Sequence, residues 1–433
     1  MQRHTEIRKG TRVRHTFHVL GRLGAVAGLA AVGLLVRLAL IATTPASFDV
    51  ESYGVVAGLL VAGRPVYLET ERYNYAPVWM WLLGAIWHLA TWAGIDFTLL
   101  VRAVVAAIDT ALGLVIYGLL RRRHKVSQPA ALALSVLNPI LVLNAGVHGQ
   151  FDPLATLLML GAIVMLPTGG PREPSGWRLP MAGLLLGLSI AVKHFPVLAL
   201  PALLVAQPRW RDRLVLAALA TLPTLVAFAP VWPTQAEGVL GNVVGYSGGK
   251  FPWWGLGAVA YALGKAATWP GLDTLALPIA TLREWLLAYS RYLAAAAIGM
   301  VALMGARRVS PNTHVVLAFL LFYALVVNFG AYYLVWIVPF IALYGAESKG
   351  GLRLALLWTL LASLYSAASH GYEALITVQA NGPVLQILFG ATIFTGILAW
   401  AACLMMAAII VRTVDSTARR VIVARESMVP FTS

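Results

Sequence analysis

The chain has 433 residues, of which 60% are apolar and only 11% are charged, and its formal net charge is +15. Soluble domains carry about 25% charged residues, so this composition excludes an ordinary soluble protein and indicates a protein that lies in lipid. The basic residues occur in short clusters between apolar segments, where the positive-inside rule places them, so nucleic acid is not an expected partner. The single cysteine, Cys403, excludes a disulfide framework and a thiolate metal site.

The first apolar segments set the expected topology. Residues 1–22 form a basic N-terminus that we expect in the cytoplasm, and residues 23–43 form a first span that is long enough to stay, so no cleaved signal is expected. The short, Trp-rich segment Pro77–Ala93 would invert every later basic loop if it spanned. We therefore predict that it is an interfacial helix within a first outer loop, residues 44–96.

With that choice, the remaining apolar segments predict an all-α, polytopic membrane protein with about twelve transmembrane helices and both termini in the cytoplasm. The integral-membrane unit is expected over residues 23–411, with a long outer loop at 232–284 and a basic cytoplasmic tail at 412–433. We find no internal repeat and no soluble domain. The next predicted spans cover residues 97–120, 130–147, 153–166, 179–192, 197–206 and 214–231.

Two carboxylates one residue apart, Asp49 and Glu51, follow the first span and precede an apolar-faced helix. Such a pair could simply be solvated at a helix N-terminus, where the helix dipole favours negative charge. A carboxylate beside the membrane could instead act as general base for a sugar hydroxyl. Two residues along a helix lie about 200° apart, so one acid should dominate. We expect Asp49, whose shorter side chain is held more firmly at a helix start.

Further polar groups are predicted on the same side of the membrane. The segment from His148 through Gln150 to Asp152 could be only a turn that caps the next helix, or part of a site. Lys193 with His194 could neutralise a lipid phosphate, although a lysine at a helix end can also snorkel to the headgroups. Lys250 lies in a Gly- and Trp-rich outer stretch whose Trp residues could be an interfacial belt.

Ionisable residues also lie inside predicted spans, and signatures of cofactor binding are missing. Arg102 and Asp109 share one face of a helix and are expected to form a buried structural pair, which could include Arg37. The sequence has no Walker loop, no dinucleotide fingerprint and no zinc-ligand spacing. We therefore expect no nucleotide cofactor and assign no metal ligand, and the sequence leaves open whether a divalent metal assists.

Taken in order, these stretches resemble the GT-C superfamily of integral-membrane glycosyltransferases, in particular the first mannosyltransferase of GPI-anchor synthesis and its prokaryotic relatives. The likeness covers residues 20–205 well and the rest loosely. The His148/Gln150 motif is more similar to the glucosyltransferases that use dolichyl-phosphate glucose, whose late-loop His-Glu pair is absent here. The segments that match the mannosyltransferases are Asp49-Val50-Glu51 (an acidic D-x-D with its second acid changed), Gly63–Tyr67, Arg72–Pro77, Leu137–Pro139, Lys193 with Pro196, and Tyr333–Pro339.

The resemblance implies an inverting transfer of a hexose, mannose favoured, from a polyprenyl-phosphate donor to an acceptor hydroxyl at the outer face of the cell membrane. The acceptor could be a glycolipid, a polysaccharide or a protein. A transporter or flippase, and a lipid-linked polysaccharide polymerase or ligase, are the alternatives. The residues and the resemblance together assign catalysis to Asp49 and Glu51, donor-phosphate binding to Lys193, His194 and Lys250, and substrate binding to His148, Gln150, Asp152, Arg72, Tyr75 and Tyr333.

Overall fold

The computed structural model describes residues 24–123, 126–166, 176–246, 253–268, 273–305, 310–327, 329–348 and 350–426. Within these ranges the chain forms helices and turns without a strand, which confirms the all-α prediction. The helices are α1 Gly24–Thr43, α2 Phe48–Val61, α3 Val66–Glu69, α4 Pro77–Ala93, α5 Phe97–Arg121, α6 Gln128–Ala133, α7 Pro139–Leu143, α8 Asp152–Met165, α9 Arg178–Val192, α10 Leu200–Ala206, α11 Trp210–Phe228, α12 Trp232–Val239, α13 Gly255–Ala266, α14 Ala276–Gly305, α15 Pro311–Leu325, α16 Val338–Glu347, α17 Gly351–Thr377 and α18 Pro383–Glu426. Short 3₁₀ or π turns cover Asn144–His148, Phe195–Ala199, Leu240–Val244, Asp273–Leu275 and Ala331–Trp336.

Several helices have the length that a bilayer requires. Among the described residues, five helices are long and apolar enough to cross a membrane: α1, α5, α14, α17 and α18. The pair formed by α11 and the segment after it, bent by 104°, makes a sixth if it counts as one broken span. Six further apolar helical segments have only 10–17 residues, at or below the usual minimum for a span. The chain is therefore a polytopic membrane protein, and the count of twelve spans stays a prediction.

The helix bounds agree with the sequence in some places and differ in others. α4 has the bounds expected for the interfacial segment, although its position relative to lipid stays a prediction. The expected span at 130–147 is broken, because Pro139 cannot continue a helix and Asn138 caps a new one by accepting from the Ile140 N–H at 3.0 Å. The expected outer loop at 232–284 contains α12, α13 and the start of α14.

The charges inside α1 and α5 are paired differently from the expectation. Arg37 of α1, not Arg102, binds Asp109, with an Nη2–Oδ2 distance of 2.5 Å and both side chains fully buried. The expected Arg102–Asp109 pair is wrong because seven residues along a helix are about 10 Å apart. Arg102 instead donates to the carbonyl oxygens of Thr44 (3.0 Å) and Gly146 (3.0 Å). It thereby ties the end of α1 to the π turn that follows α7.

Two contacts show which helix ends lie together. At one end of the bundle, Arg123, just after α5, bonds Glu347 at the end of α16, with an N–O distance of 2.9 Å. At the other end, the start of α5 carries Arg102, and the last turns of α17 carry Glu373, which contacts His148. The π turn at Asn144–His148, the start of α2 and the end of α17 therefore meet at the end opposite Arg123.

Candidate active site

Ser47 joins the start of α2 to the π turn. Its hydroxyl accepts from the Val50 N–H at 3.3 Å, as an N-cap does, and donates to the His148 carbonyl at 2.5 Å. Asp49 lies in the first turn of the helix that Ser47 caps, and its side chain is 25% exposed. The cap therefore sets the position of the Asp49 carboxylate relative to His148.

Gly149 allows the turn to pass close to α2. Its backbone is left-handed, with φ of +75°, and a Cβ there would lie 2.6 Å from the Val50 side chain. A residue with a side chain would face both the strain of positive φ and that collision. The glycine therefore lets His148 and Gln150, on either side of it, reach the same carboxylate.

The Asp49 carboxylate accepts two hydrogen bonds at one oxygen. Oδ2 lies 2.8 Å from His148 Nε2 and 2.7 Å from Gln150 Nε2. The Tyr53 hydroxyl donates to Gln150 Oε1 at 2.6 Å, so the amide is fixed with its NH₂ toward Asp49. This network holds the carboxylate in one orientation and leaves its second oxygen without a hydrogen-bond partner among the described residues.

Two ionisable residues of α17 complete the cluster, and the sequence analysis missed both. Glu373 Oε2 lies 3.1 Å from His148 Nδ1 and 3.4 Å from His370 Nδ1. The Tyr332 ring stacks on His148, with centroids 4.8 Å apart. The available signal was a His and a Glu inside an apolar, membrane-length segment, since such residues are rare in spans and usually functional.

The hydrogen bonds of His148 determine the direction in which its pKa shifts. His148 lies at the end of the π turn, outside the membrane-length helices. Burial by itself lowers the pKa of His148, but its hydrogen bonds to Asp49 and Glu373 outweigh burial and raise that pKa to about 10. Burial also raises the pKa of the Tyr246 hydroxyl, and the Asp49 charge adds to that increase. The two ring nitrogens of His148 therefore each contact a carboxylate oxygen.

A cavity of about 380 Å³ opens beside Asp49. Its volume falls within the range of about 300–1,000 Å³ typical of small-molecule sites. Aromatic rings and two acids form much of its wall, so it combines stacking surfaces with hydrogen-bond acceptors. The lining residues are Ser47, Phe48, Asp49, His148, Tyr246, Trp253, Tyr332, Glu373, Ile376 and Thr377.

Lys193 lies behind this wall, in a buried ion pair. Its Nζ is 2.8 Å from Asp152 Oδ2, and both side chains are almost completely buried. The indole of Trp336 donates to the other Asp152 oxygen. The rings of Tyr75 and Phe151 lie 5.0 and 4.8 Å from the ammonium. In this arrangement the Lys193 ammonium is paired with Asp152, so phosphate binding by Lys193 would require that ion pair to break.

The other predicted residues are dispersed. Glu51 is exposed and contributes no side-chain hydrogen bond among the described residues. Arg72 is exposed, and its guanidinium lies 4.5 Å from the centroid of Phe48, a cavity residue. Tyr333 packs edge-on against Tyr332, with centroids 4.5 Å apart. His194 is exposed and is not among the residues that line the cavity beside Asp49. Lys250 lies outside the described residues.

Comparison with known proteins identifies the family. The profile of glycosyltransferase family 87 matches residues 73–329, which is more than half of the chain. The chain belongs to glycosyltransferase family 87. This membership confirms the recognition of an integral-membrane glycosyltransferase of the GT-C superfamily, and it favours an enzyme over a transporter. The matched range of family 87 contains His148 and Lys193 but neither Asp49 nor Glu373.

Two further proteins are similar to this family 87 member. The undecaprenyl phosphate-alpha-4-amino-4-deoxy-L-arabinose arabinosyl transferase of Edwardsiella ictaluri (strain 93-146) is 29% identical over 155 residues. That match covers 33% of this chain and only 28% of the relative's length. The crystal structure of ArnT from Cupriavidus metallidurans bound to undecaprenyl phosphate aligns with a TM-score of 0.47 and 14% identity, over 88% of this chain and 76% of ArnT.

Proposed function

We propose that this family 87 enzyme transfers a hexose, with mannose favoured, from a polyprenyl-phosphate donor to an acceptor hydroxyl, with inversion and with Asp49 as general base. The observation that carries the proposal is the Asp49 carboxylate at the cavity wall, held at one oxygen by His148 and Gln150. A general base must reach the proton that it removes, and its geometry is the first criterion. Asp49 lines the cavity, and its second oxygen has no described partner, so that oxygen is available to an acceptor hydroxyl bound there.

The proposed reaction is a single displacement. The acceptor oxygen attacks the anomeric carbon from the face opposite the phosphate, and its proton passes to the free oxygen of Asp49. The bond between the anomeric carbon and the phosphate oxygen breaks, and the polyprenyl phosphate leaves with the electron pair. Because the carboxylate is already oriented by two hydrogen bonds, little reorganisation is needed when the proton moves.

The donor class is supported by two observations. The Edwardsiella relative carries undecaprenyl phosphate in the name of its sugar donor. The sequence also lacks a nucleotide-binding motif, which agrees with a lipid-linked donor. For the donor phosphate we propose Arg72, because its exposed guanidinium lies over the cavity residue Phe48 and guanidinium groups suit phosphate geometry. Mannose as the sugar rests on the resemblance in the first outer loop.

The proposed location of the site is the outer face. The positive-inside rule places the basic segment at Arg121–Arg123 in the cytoplasm. The Arg123–Glu347 contact lies at the same end of the bundle as that segment, and the Asp49 cluster lies at the opposite end. This arrangement supports an outward-facing site and a donor presented from the outer leaflet.

The proposal is tested with purified protein in proteoliposomes. Polyprenyl-phosphate mannose and polyprenyl-phosphate glucose are supplied separately with a soluble mannoside acceptor and with a glycolipid acceptor, and the anomeric configuration of the product is read by NMR. The expected result is transfer from the mannosyl donor with inversion. Transfer from a nucleotide sugar, or retention of configuration, would contradict the proposal, while preference for glucose would change only the sugar.

A further inference from the structure

Three side chains near the end of α17 and the π turn have the composition of a metal site. His148, His370 and Glu373 each offer one ligand atom, and these atoms all lie within 4.8 Å of one another. Glu373 Oε2 lies 3.1 and 3.4 Å from the Nδ1 atoms of His148 and His370. Ligands bound to one tetrahedral ion at about 2.0–2.1 Å lie roughly 3.3 Å apart, so the two distances already match the edges of such a site.

The space between these residues also fits a single ion. A separate small cavity, of about 20 Å³, is lined by all three side chains. That volume is about what one water molecule or one ion requires. The lining also includes Ala46 and the α2 cap residue Ser47. The three side chains therefore border a half-open space of the right size.

His370 lacks the partners that a buried imidazole needs. Its side chain is 2% exposed, and its Nε2 has no hydrogen-bond partner among the residues that the structure describes. Its Nδ1 has only the 3.4 Å contact with Glu373, which is at the long limit for a hydrogen bond. A buried polar group without good partners costs free energy unless something else satisfies it. A cation bound by His370 Nδ1 in the small cavity would replace this long contact with a metal–ligand bond.

We propose that His148, Glu373 and His370 bind a divalent transition-metal ion of the zinc class. Two imidazoles and one carboxylate are a ligand set that zinc uses with a fourth position left open, whereas magnesium and calcium prefer oxygen ligands throughout. The carboxylates of Asp49 and Glu373 bring two negative charges to this region, which a divalent cation balances. His148 and Glu373 also line the larger cavity, so an ion in the small cavity would lie next to the substrate space.

The metal would be coupled to Asp49 through the second nitrogen of His148. Metal binding at Nδ1 would release the proton of that nitrogen to solvent. Nε2 would keep its hydrogen and donate to Asp49 Oδ2, the contact already present at 2.8 Å. A carboxylate that accepts from a metal-bound histidine fixes the tautomer and orientation of the ring. Asp49 is in this respect a positioning residue for the metal site, and the metal in turn holds the group that orients Asp49.

The test measures zinc binding directly. The full-length protein is purified in detergent, stripped with EDTA, dialysed and titrated with ZnCl₂ by calorimetry, with bound zinc counted by mass spectrometry. We expect one zinc per chain, unaffected by excess MgCl₂. His370→Gln and Glu373→Gln should each weaken binding by roughly 100-fold or more, because loss of a ligand exceeds the 10–100-fold loss typical of an outer partner. The matched control, His88→Gln, removes an exposed imidazole and should bind like the wild type.

Two results would overturn the proposal. The first is binding far below one zinc per chain in the wild-type protein, and the second is equal affinity in His370→Gln and His88→Gln, which would place the ion elsewhere. If the α17 variants fail to fold, zinc-edge X-ray absorption on the wild-type protein decides the question. Imidazole scattering with nitrogen and oxygen ligands at about 2.0–2.1 Å is expected, and a shell of oxygen alone would refute the site. These measurements need no sugar transfer, so their outcome is independent of the proposed reaction.

Discussion

The replacement Asp49→Asn tests the proposed base with little structural change. The asparagine carbonyl oxygen can accept from both His148 and Gln150, as Asp49 Oδ2 does at 2.8 and 2.7 Å. The side chain keeps its size, and the Ser47 cap of α2 is untouched. What disappears is the second carboxylate oxygen, the one able to take a proton from the acceptor.

The expected loss follows from the role of a general base. A positioned general base typically raises the reaction rate by about 10²–10⁴-fold. At about 1.36 kcal/mol per tenfold, this corresponds to roughly 2.7–5.4 kcal/mol in the activation barrier. Because the proton moves only in the transition state, kcat and kcat/KM should fall by the same factor, with the donor KM unchanged. Transfer of radiolabelled sugar in proteoliposomes measures this over the full range of donor concentration.

Glu51→Gln is the matched control for this experiment. Glu51 lies two residues further along the same helix, is exposed and has no described side-chain hydrogen bond, so its replacement should change kcat by less than about threefold. Both proteins should elute as folded species with the same unfolding midpoint. Near-normal transfer by Asp49→Asn together with an inactive Glu51→Gln would move the base to Glu51. If both variants stayed active, the start of α2 would not be catalytic.

Four further outcomes are expected. A cysteine introduced by Glu71→Cys should react with an impermeant thiol reagent from outside and one introduced by Arg122→Cys should not; the reverse pattern would invert the topology. Arg72→Gln should raise the donor KM more than it lowers kcat, and unchanged donor kinetics would remove Arg72 from the phosphate site. Lys193→Met should lower the unfolding midpoint, because leaving the buried Asp152 carboxylate unpaired costs about 3–5 kcal/mol. A higher donor KM at unchanged stability would instead support phosphate binding by Lys193. Arg102→Met should lower kcat by releasing the π turn, and full activity in a folded protein would show that this clamp is dispensable.

The sequence alone was sufficient to predict the class of protein. It also indicated the parts of the candidate site that lie close together along the chain. Apolar segments of membrane length, separated by basic loops, predict a helical membrane protein because the bilayer excludes unpaired backbone polar groups. The acids at the start of α2 and the segment from His148 to Asp152 were found because each is a short polar run between apolar segments. The predicted starts of α4 and α5 agree with the structure, in which Pro77 starts one helix and Asp96 caps the next.

Only the tertiary structure decided which polar groups share a site. Glu373 and His370 are more than 200 residues from His148 along the chain, and no local pattern indicates that the end of α17 packs against the π turn. The sequence does not show whether Lys193 is exposed or buried, so it predicted a phosphate ligand where the fold made an ion pair with Asp152. Arg102 likewise binds backbone carbonyls because helix geometry keeps it about 10 Å from Asp109. Local sequence encodes where helices begin and end, whereas the packing of distant helices determines which charges meet, since buried charges take whatever partners that packing brings within hydrogen-bonding distance.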